Sequence, residues 1–386
     1  MRFLYLIFPA WLLLLTACAP VGPEYRPPSV DLPDNWTDGQ GPAAPAALHH
    51  SRRWWGLFDD PVLNGLVDRA IAANHDLRIA ASRITAARAR LRQTAATAAP
   101  AVEAGAGSTH SRRSDNAGSD GGTRDLFEAG FDAGWEIDLF GGQRRAIEAA
   151  AATLAATEEN RRDVLVSLEA EVGRTYFELR GSQRQLATAR DTLAAQEQTL
   201  AVVAGRRQLG LASGLEAAQA ETQKSLVAAQ IPALEQKIAA GRNQLALLLD
   251  LQPAEIARRL TGPTPTLTVP PNLPAGLPSD LLRRRPDIRQ AERQLAAATA
   301  EVGVATADLF PRFSLSGLIG LQSSTLADLV SSGSRYWSIG PAVTLPIFDR
   351  SRLKAAVTIS EATLEEMQAT YEKIVLAALV ETETAL

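Results

Sequence analysis

Four carboxylates recur at short intervals between residues 127 and 139 of this 386-residue chain. They are Glu128, Asp132, Glu136 and Asp138, and they alternate with an apolar set of Phe127, Phe131, Trp135, Ile137 and Leu139. Because successive side chains of a strand point to opposite faces, this alternation predicts a strand with one acidic and one aromatic, apolar face. Carboxylates lining a water-filled passage would disfavour anions, whereas carboxylates on a solvated face would select nothing. The segment alone leaves both interpretations open.

The other residue types that carry chemistry indicate no catalytic or metal site. The four histidines lack the spacing of metal ligands; they are His49, His50, His75 and His110. We find no phosphate-binding loop, no nucleophile elbow and no convincing acid–base pair. The net charge of −4 gives no support to nucleic-acid binding. We therefore predict a protein that is not an enzyme and that binds neither metal nor nucleic acid.

The single cysteine, Cys18, follows a basic residue, Arg2, and a short apolar run over residues 3–15. This order is typical of a secretory signal rather than of a spanning helix. Leu-Thr-Ala-Cys also resembles the bacterial lipobox, in which the cysteine becomes the first mature residue and carries lipid. We predict a signal peptide over residues 1–17 and a covalent lipid on Cys18, with no other cofactor. Ordinary cleavage after Ala19 is the alternative.

Helices flank the predicted strand on both sides. After an extended, Pro- and Gly-rich segment over residues 18–60, Asp60 is expected to start the first helix. A first repeat over 61–250 then comprises helices over 61–99, a hairpin over 102–140 and long helices over 143–204 and 215–249. Apolar residues spaced by seven from Val172 to Leu200 predict a coiled-coil seam. Gly205 is expected to break the first long helix, and Pro232 to kink the second.

The same order of elements returns after a Pro-rich linker over residues 251–280. Asp76 and Pro100 are 24 positions apart, as are Asp287 and Pro311. We predict a second repeat over 281–386, with a helix over 281–309, a hairpin over 312–348 and a helix over 350–386. Its last strand would place Trp337, Ile339 and Val343 on the apolar, lipid-facing side. Because the final helix is much shorter than the matching pair, we expect the C-terminal part of this repeat to be missing.

Two hairpins supply only four strands. A membrane barrel needs every edge paired, and the small ones use about eight strands. The predicted fold is therefore mostly α-helical, with two tandem helix–β-hairpin–long helix repeats. Its four strands per chain would be completed to a membrane β-barrel by oligomerisation, with three copies giving twelve strands, and its coiled-coil helices would continue the ring as an α-barrel. For the strand taken alone, a half-buried hairpin in a soluble domain is the alternative.

Three motifs make the chain similar to a known family. They are Val21-Gly22-Pro23-x-Tyr25-x-x-Pro28, Trp54-Trp55-x-x-Phe58-x-Asp60-Pro61-x-Leu63 and Gly276-Leu277-Pro278-Ser279-x-Leu281-Leu282-x-Arg284-Arg285-Pro286-Asp287-Ile288. With the lipobox and the repeat, they resemble the TolC-like outer-membrane factors, specifically the lipoprotein branch. The resemblance implies a homotrimer in the bacterial outer membrane whose helical tunnel extends into the periplasm. It also implies a periplasmic adaptor and an inner-membrane RND-type pump as partners.

The resemblance assigns a role to one turn between helices. This turn would meet the adaptor; it comprises Leu209, Gly210, Leu211, Ala212 and Ser213. The matching second turn, with much of the periplasmic gate, would lie beyond Leu386. Arg284, Arg285, Pro286 and Asp287 are expected to cap a helix and fix the neighbouring backbone. The predicted function is a passive exit duct for small toxic compounds. A channel for protein secretion and a periplasm-spanning structural coiled coil are the alternatives.

Overall fold

The computed structural model describes residues 20–30, 32–33, 36–37, 53–114, 116, 122–260 and 278–385. Cys18, His49 and His50 lie outside these ranges. The helices are α1 (Pro61–Ala73), α2 (His75–Ala96), α3 (Gly142–Gln208), α4 (Gly214–Leu248), α5 (Pro253–Arg259), α6 (Pro278–Arg284), α7 (Pro286–Ala307) and α8 (Arg350–Ala385). The strands are β1 (Ala101–Arg112), β2 (Thr123–Ile137), β3 (Arg312–Ser323) and β4 (Arg335–Thr344). The chain is thus mostly helical, with one small sheet.

The four strands form one antiparallel sheet in the order β1-β2-β3-β4. The pairing of β2 with β3 joins the hairpins of the two repeats, which are far apart in the sequence. Phe131 lies opposite Ile319 in this pairing, and Ile319 lies opposite Trp337. The register therefore collects the apolar positions of both repeats on one face.

The described residues fall into two compact units. The first contains the sheet, α7, α8 and the N-terminal segment over residues 20–30. In this unit α7 packs on α8, where Ile288, Tyr371 and Val375 are buried together. Arg289 of α7 also pairs with the buried carboxylate of Glu159 at an N–O distance of 2.7 Å. Apolar packing and this ion pair hold α7 in place.

The second unit contains α1, α4 and α5, together with parts of α2 and α3. Asp60 caps α1, because its Oδ1 accepts hydrogen bonds from the backbone N–H groups of Val62 and Leu63 at 2.8 and 3.2 Å. Its Oδ2 accepts a third bond, from the hydroxyl of the fully buried Tyr176, at 2.6 Å. The predicted helix start at Asp60 is confirmed.

Asn74 separates α1 from α2. Its side-chain oxygen accepts bonds from the backbone N–H groups of Asp76 and Leu77 at 2.8 and 3.3 Å, and its amide group donates to the carbonyl of Leu248. Asn74 therefore caps the second helix and ties it to the end of α4. The helices predicted over residues 61–99 are confirmed, and the second ends at Ala96.

Several predicted boundaries are wrong. The helix α3 passes through Gly205 without a break and ends at Gln208, because an isolated glycine costs a helix only about 1 kcal/mol. The helix α4 contains Pro232 in its interior, and the kink expected there stays a prediction. Residues 53–58 form a 3-10 helix rather than an extended chain, and Trp55 is buried within it. The predicted linker contains α5, which buries Ile256, and the helix expected over 281–309 is divided at Arg285 into α6 and α7.

Candidate functional site

The apolar face of the sheet contains most of the predicted lipid-facing residues. Phe127, Phe131, Trp135 and Ile137 occupy alternate positions of β2, and Trp337, Ile339 and Val343 occupy alternate positions of β4. The register adds β3 residues that we did not single out for this face, including Phe313, Leu315, Ile319 and Leu321. The same period of two over residues 313–321 could have identified them. The two hairpins thus share one continuous apolar face.

Among the residues that the structure describes, this apolar face is largely uncovered. Trp337 is 74% exposed, Ile339 66% and Ile319 63%. From Phe313 to Leu321 the face extends over about 27 Å at ~3.4 Å per residue, close to the ~25 Å apolar band of an outer-membrane barrel. A contiguous apolar surface of this kind requires a lipid or protein neighbour.

The end of β2 differs from the prediction. The strand stops at Ile137, so Asp138 and Leu139 are not strand residues. Asp138 instead accepts a hydrogen bond from the backbone N–H of Arg144 at 3.0 Å and pairs with the Arg144 side chain at 3.2 Å. Leu139 lies in the turn, where its N–H donates to the carbonyl of Ile137. Asp138 therefore stabilises the start of α3, where negative charge is favourable.

The opposite face of the sheet carries Glu128, Asp132 and Glu136, all exposed. The register places Glu103 of β1 directly opposite Asp132. We did not single out Glu103, because the small residues of β1 give a weak periodic pattern. The alternation in β2 cannot locate Glu103 either, because the residue of β1 that lies opposite Asp132 depends on the register of the two strands. The acidic face thus extends over two strands.

Two glycines bring β2 and β3 into close backbone contact on this polar face. Gly130 and Gly320 are opposite each other. A methyl group added to Gly130 would lie 2.7 Å from the carbonyl oxygen of Ile319, and one added to Gly320 would lie 2.7 Å from that of Ala129. The ring of Tyr336 also lies against Gly320. Where β2 of the first repeat pairs with β3 of the second, the backbones at Gly130 and Gly320 therefore leave no room for a side chain.

The turn between α3 and α4 is fixed by paired capping motifs. The N–H of Leu211 donates to the carbonyl of Arg206 at 2.8 Å, and that of Gly210 to Arg207 at 3.0 Å, which is the bonding of a Schellman motif. Gly210 has the positive φ, +76°, that this motif requires. Ser213 then caps α4 through a reciprocal capping box with Glu216. A short turn with both ends capped is a well-defined structure.

The same turn exposes apolar side chains. Leu209 is 75% exposed, Leu211 63% and the neighbouring Leu215 67%. Arg206 and Arg207, in the last turn of α3, lie next to them in the sequence. Exposed leucines on a well-defined turn are typical of a surface that contacts another protein. The predicted adaptor-contact residues are therefore in one turn with an apolar and basic character.

The motif around Arg284–Asp287 lies at the junction of α6 and α7. The guanidinium of Arg285 pairs with Asp287 at 2.8 Å and with Glu381 of α8 at 2.7 Å. The hydrogen bond to Asp287 raises the pKa of Arg285. Burial by itself would raise the pKa of Asp287, but the hydrogen bonds and charge of Arg285 lower it. Asp287 Oδ1 also accepts a bond from the backbone N–H of Ile288. Arg284 is exposed at the end of α6.

Neither a helical membrane span nor a metal centre is found in the described ranges. No helix there is both long and apolar enough to cross a membrane. The same residues include no cluster of three or more His, Cys, Asp or Glu side chains arranged for a metal ion. His75 and His110 instead pair separately, with Asp250 at 3.1 Å and with Asp125 at 2.5 Å.

In this chain, two hairpins form one sheet with an apolar and a polar face, and a long helix follows each hairpin. This architecture is that of the outer-membrane channels. A family model described as outer membrane efflux protein matches residues 66–250 and 277–386. The chain belongs to this family, and the resemblance to TolC-like factors and the predicted fold class are confirmed. It is an outer-membrane protein of an efflux system.

The chain is also similar over most of its length to individual proteins. It is 34% identical over 385 residues to the solvent efflux pump outer membrane protein SrpC of Pseudomonas putida, covering 97% of this chain and 80% of SrpC. It is 32% identical over 376 residues to the probable outer membrane lipoprotein SilC of Salmonella typhimurium, again covering 97% and 80%. The solved outer-membrane channel OprN superposes with a TM-score of 0.86 at 36% identity, covering 95% of this chain and 82% of that one.

Proposed function

We propose that this protein is the outer-membrane duct of a tripartite export system and that it passively conducts small toxic compounds to the exterior. An inner-membrane pump of the RND type and a periplasmic adaptor would deliver the compounds. The observation that carries this proposal is the sheet, which has a continuous apolar face on one side and carboxylates on the other. A sheet with one apolar and one acidic face is suited to separate lipid on one side from water on the other. The name of SrpC, a solvent efflux protein, supports the substrate class.

Three copies of the chain would form the duct. The outer strands of the sheet are β1 and β4, and an unpaired strand edge in a bilayer is costly because its polar groups have no water. If β4 of one copy pairs with β1 of the next, three copies make a closed barrel of twelve strands. The acidic face would then line the lumen.

A lipid on Cys18 and an adaptor at the α3–α4 turn would complete the assembly. The lipobox supports lipidation, and the name of SilC as a lipoprotein supports it further. The exposed leucines and the double capping of the turn support its role as the adaptor contact. No enzymatic activity and no cofactor other than the lipid are proposed.

Export can be tested in cells that lack their own outer-membrane factor but express the pump and adaptor. Expression of this chain should lower the accumulation of a fluorescent pump substrate, and the purified protein should give discrete conductance steps in a planar bilayer. Secretion of a protein without any change in dye accumulation would favour the secretion channel. An outer-membrane protein that gives neither steps nor export would favour a structural coiled coil.

A further inference from the structure

The apolar face of the sheet ends in positive charge on both of its outer strands. Arg335 begins β4 and lies two residues before Trp337, so it is on the same face as that tryptophan. Arg112 ends β1 opposite Thr123, which is four residues from Phe127 and therefore on the apolar side of β2. Both arginines are exposed. They lie at the end of the sheet where the two hairpin loops connect the strands.

The charge of Arg335 is not balanced within the described part of the chain. Its side chain makes no hydrogen bond or ion pair with any residue that the structure describes. The carboxylate of Asp125 is on the same part of the apolar face, but its partner is the ring of His110, directly opposite, at 2.5 Å. Arg335 can therefore accept an anion from outside the chain.

The contact between the two repeats provides a template for the contact between two copies of the chain. Phe140 stacks on Phe310 with ring centres 4.7 Å apart. This pair continues the register of β2 on β3, because each residue is three positions beyond the last strand pair, Ile137 and Phe313. Phe348 holds the place of Phe140 in the second repeat, and it is 99% exposed. The template therefore predicts that Phe348 is covered by another copy.

This template gives a register for β4 of one copy on β1 of the next. Ala99 is the counterpart of Phe310 in the first repeat, since each directly precedes the proline that opens a hairpin. Phe348 of one copy would then lie opposite Ala99 of the next. Thirteen residues before Phe348 is Arg335, and thirteen residues after Ala99 is Arg112. The register thus places two arginines of different copies directly opposite each other on the apolar face.

The strand tilt that follows from this register is that of a membrane barrel. Within one copy, Ala106 of β1 is in the same row as Arg335, through Ala129 and Leu321. Each copy therefore advances the ladder by six residues, from Ala106 to Arg112, over four strands. Six residues span ~20 Å along the strands, and four strands span ~19 Å across them. The resulting tilt of about 45° agrees with outer-membrane barrels.

We propose that Arg335 of one copy and Arg112 of the next bind the phosphate group of an anionic lipid on the outside of the barrel. The site rests on the three-copy barrel proposed above. Two like charges directly opposite each other destabilise a sheet, whereas a phosphate between two guanidinium groups accepts charge-assisted hydrogen bonds from both. Trp337 lies next to the site on the same face, where it can contact the acyl chains.

The loops place this lipid in the outer leaflet. The connections at this end of the sheet, residues 113–122 and 324–334, are the long ones within the hairpins. In outer-membrane barrels the longer loops face the exterior. A free phosphate ion would share the contact with the guanidinium groups but would lack the acyl chains. The site therefore fits a lipid phosphate.

The test measures the melting temperature of the purified oligomer in detergent with added phosphatidic acid. This lipid should raise the melting temperature of the unaltered protein, because a ligand of the folded state stabilises it. Phosphatidylcholine and inorganic phosphate should raise it much less. Arg335→Gln should weaken the apparent affinity for phosphatidic acid about tenfold or more, since a charge-assisted contact is lost. Arg124→Gln is the matched control, because it removes the same charge at the loop end of β2 on the opposite face.

Two further measurements separate the site from a loss of folding. Without added lipid, Arg335→Gln should melt at least as high as the unaltered oligomer, because the opposed charges are relieved. The double variant Thr109→Cys, Ser338→Cys should form covalent oligomers on oxidation, since the same register places these two residues opposite each other on the polar face. Covalent oligomers would support the pairing of Arg335 with Arg112.

The site is overturned if phosphatidic acid stabilises the unaltered protein, Arg335→Gln and Arg124→Gln equally, or if it stabilises none of them. An equal effect of inorganic phosphate would overturn the assignment to lipid. An intact oligomer of the cysteine variant without covalent links would overturn the register and with it the site. An unaltered protein that forms no oligomer would overturn the barrel itself, so the failure of the site and the failure of the proposed function are distinguishable.

Discussion

Glu103 of β1 and Asp132 of β2 lie directly opposite each other on the face of the sheet that carries no aromatic side chains of β2. Like charges in this relationship destabilise a sheet. Both carboxylates are exposed, however, so water and counter-ions reduce the repulsion. Such a pair is tolerable only on a wet face. This relationship supports the assignment of the acidic face to the lumen of the proposed duct.

Neutralising this pair should change the ion preference of the channel. The double variant Glu103→Gln, Asp132→Asn removes two carboxylates per chain, so a reversal potential measured across a salt gradient should shift away from cation preference. Glu255→Gln, which removes a carboxylate from α5 outside the sheet, is the control. An unchanged reversal potential in the double variant would show that these carboxylates do not line the conducting path.

Charge on the apolar face should prevent membrane assembly. Ile339→Arg places a cation where lipid is expected, at a cost of about 2–4 kcal/mol at the centre of a bilayer. Ser338→Arg is the matched control, because the adjacent residue of β4 lies on the polar face. Native electrophoresis of outer-membrane extracts should show loss of the oligomer in Ile339→Arg only. Equal oligomer yields from the two variants would contradict the assignment of the faces.

Two glycines near the α3–α4 turn should respond to alanine in opposite ways. Gly210→Ala forces an L side chain into the left-handed region, which costs about 1–2 kcal/mol, although no described atom lies within 4 Å of the added methyl group. Gly205→Ala, inside α3 and equally open, should stabilise the helix by about 0.5–1 kcal/mol. Hydrogen exchange of the Leu211 amide, which bonds to Arg206, should become faster in the first variant. Equal exchange rates in both would contradict the Schellman geometry.

Glu169 makes the stability of the second unit depend on pH. Burial raises its pKa to about 7, above the value of about 4.3 for an unfolded chain. The protonated form of Glu169 therefore contributes to the free energy of unfolding. This contribution is fully present below about pH 4 and is lost as the pH rises through about 7. Glu169→Gln should raise the urea midpoint at pH 8, and the gain should vanish near pH 4. Glu197→Gln, at an exposed position of the same helix, is the control. A gain of equal size at both pH values would argue against a titration of Glu169.

Tyr176 and Asp60 should be energetically coupled. Burial and the hydrogen bond to Asp60 raise the pKa of Tyr176 to about 12, so its hydroxyl remains a donor at neutral pH. Tyr176→Phe leaves a buried carboxylate oxygen without this donor, and we expect a loss of about 1–3 kcal/mol. A double-mutant cycle with Asp60→Ala isolates the pair from the capping role of Asp60. Additive losses in the cycle would contradict the coupling.

The sequence alone determined the features that depend on neighbours in the chain. The period of two in β2 and β4 identified their apolar faces, because strand geometry assigns alternate side chains to opposite sides. Asp60 was recognisable as the start of a helix, since a cap bonds to backbone only two or three residues away. The internal repeat followed from a fixed spacing between Asp and Pro. These local and periodic features were sufficient for the fold class, and three sequence motifs carried the resemblance to the family.

Only the tertiary structure decided the features that join distant segments. The pairing of Glu103 with Asp132 depends on the register of β1 on β2, which the weak pattern of β1 did not specify. The pairing of Gly130 with Gly320 joins β2 and β3, which are far apart in the sequence. The contact of Gly22 with Gly303 brings together residues 281 positions apart. Gly205 stays helical because one glycine costs a helix only about 1 kcal/mol. The helix α5 forms within a Pro-rich linker, where packing buries Ile256. Local chemistry therefore fixed most elements, while long-range packing fixed the register of the sheet and the position of the N-terminal segment over residues 20–30.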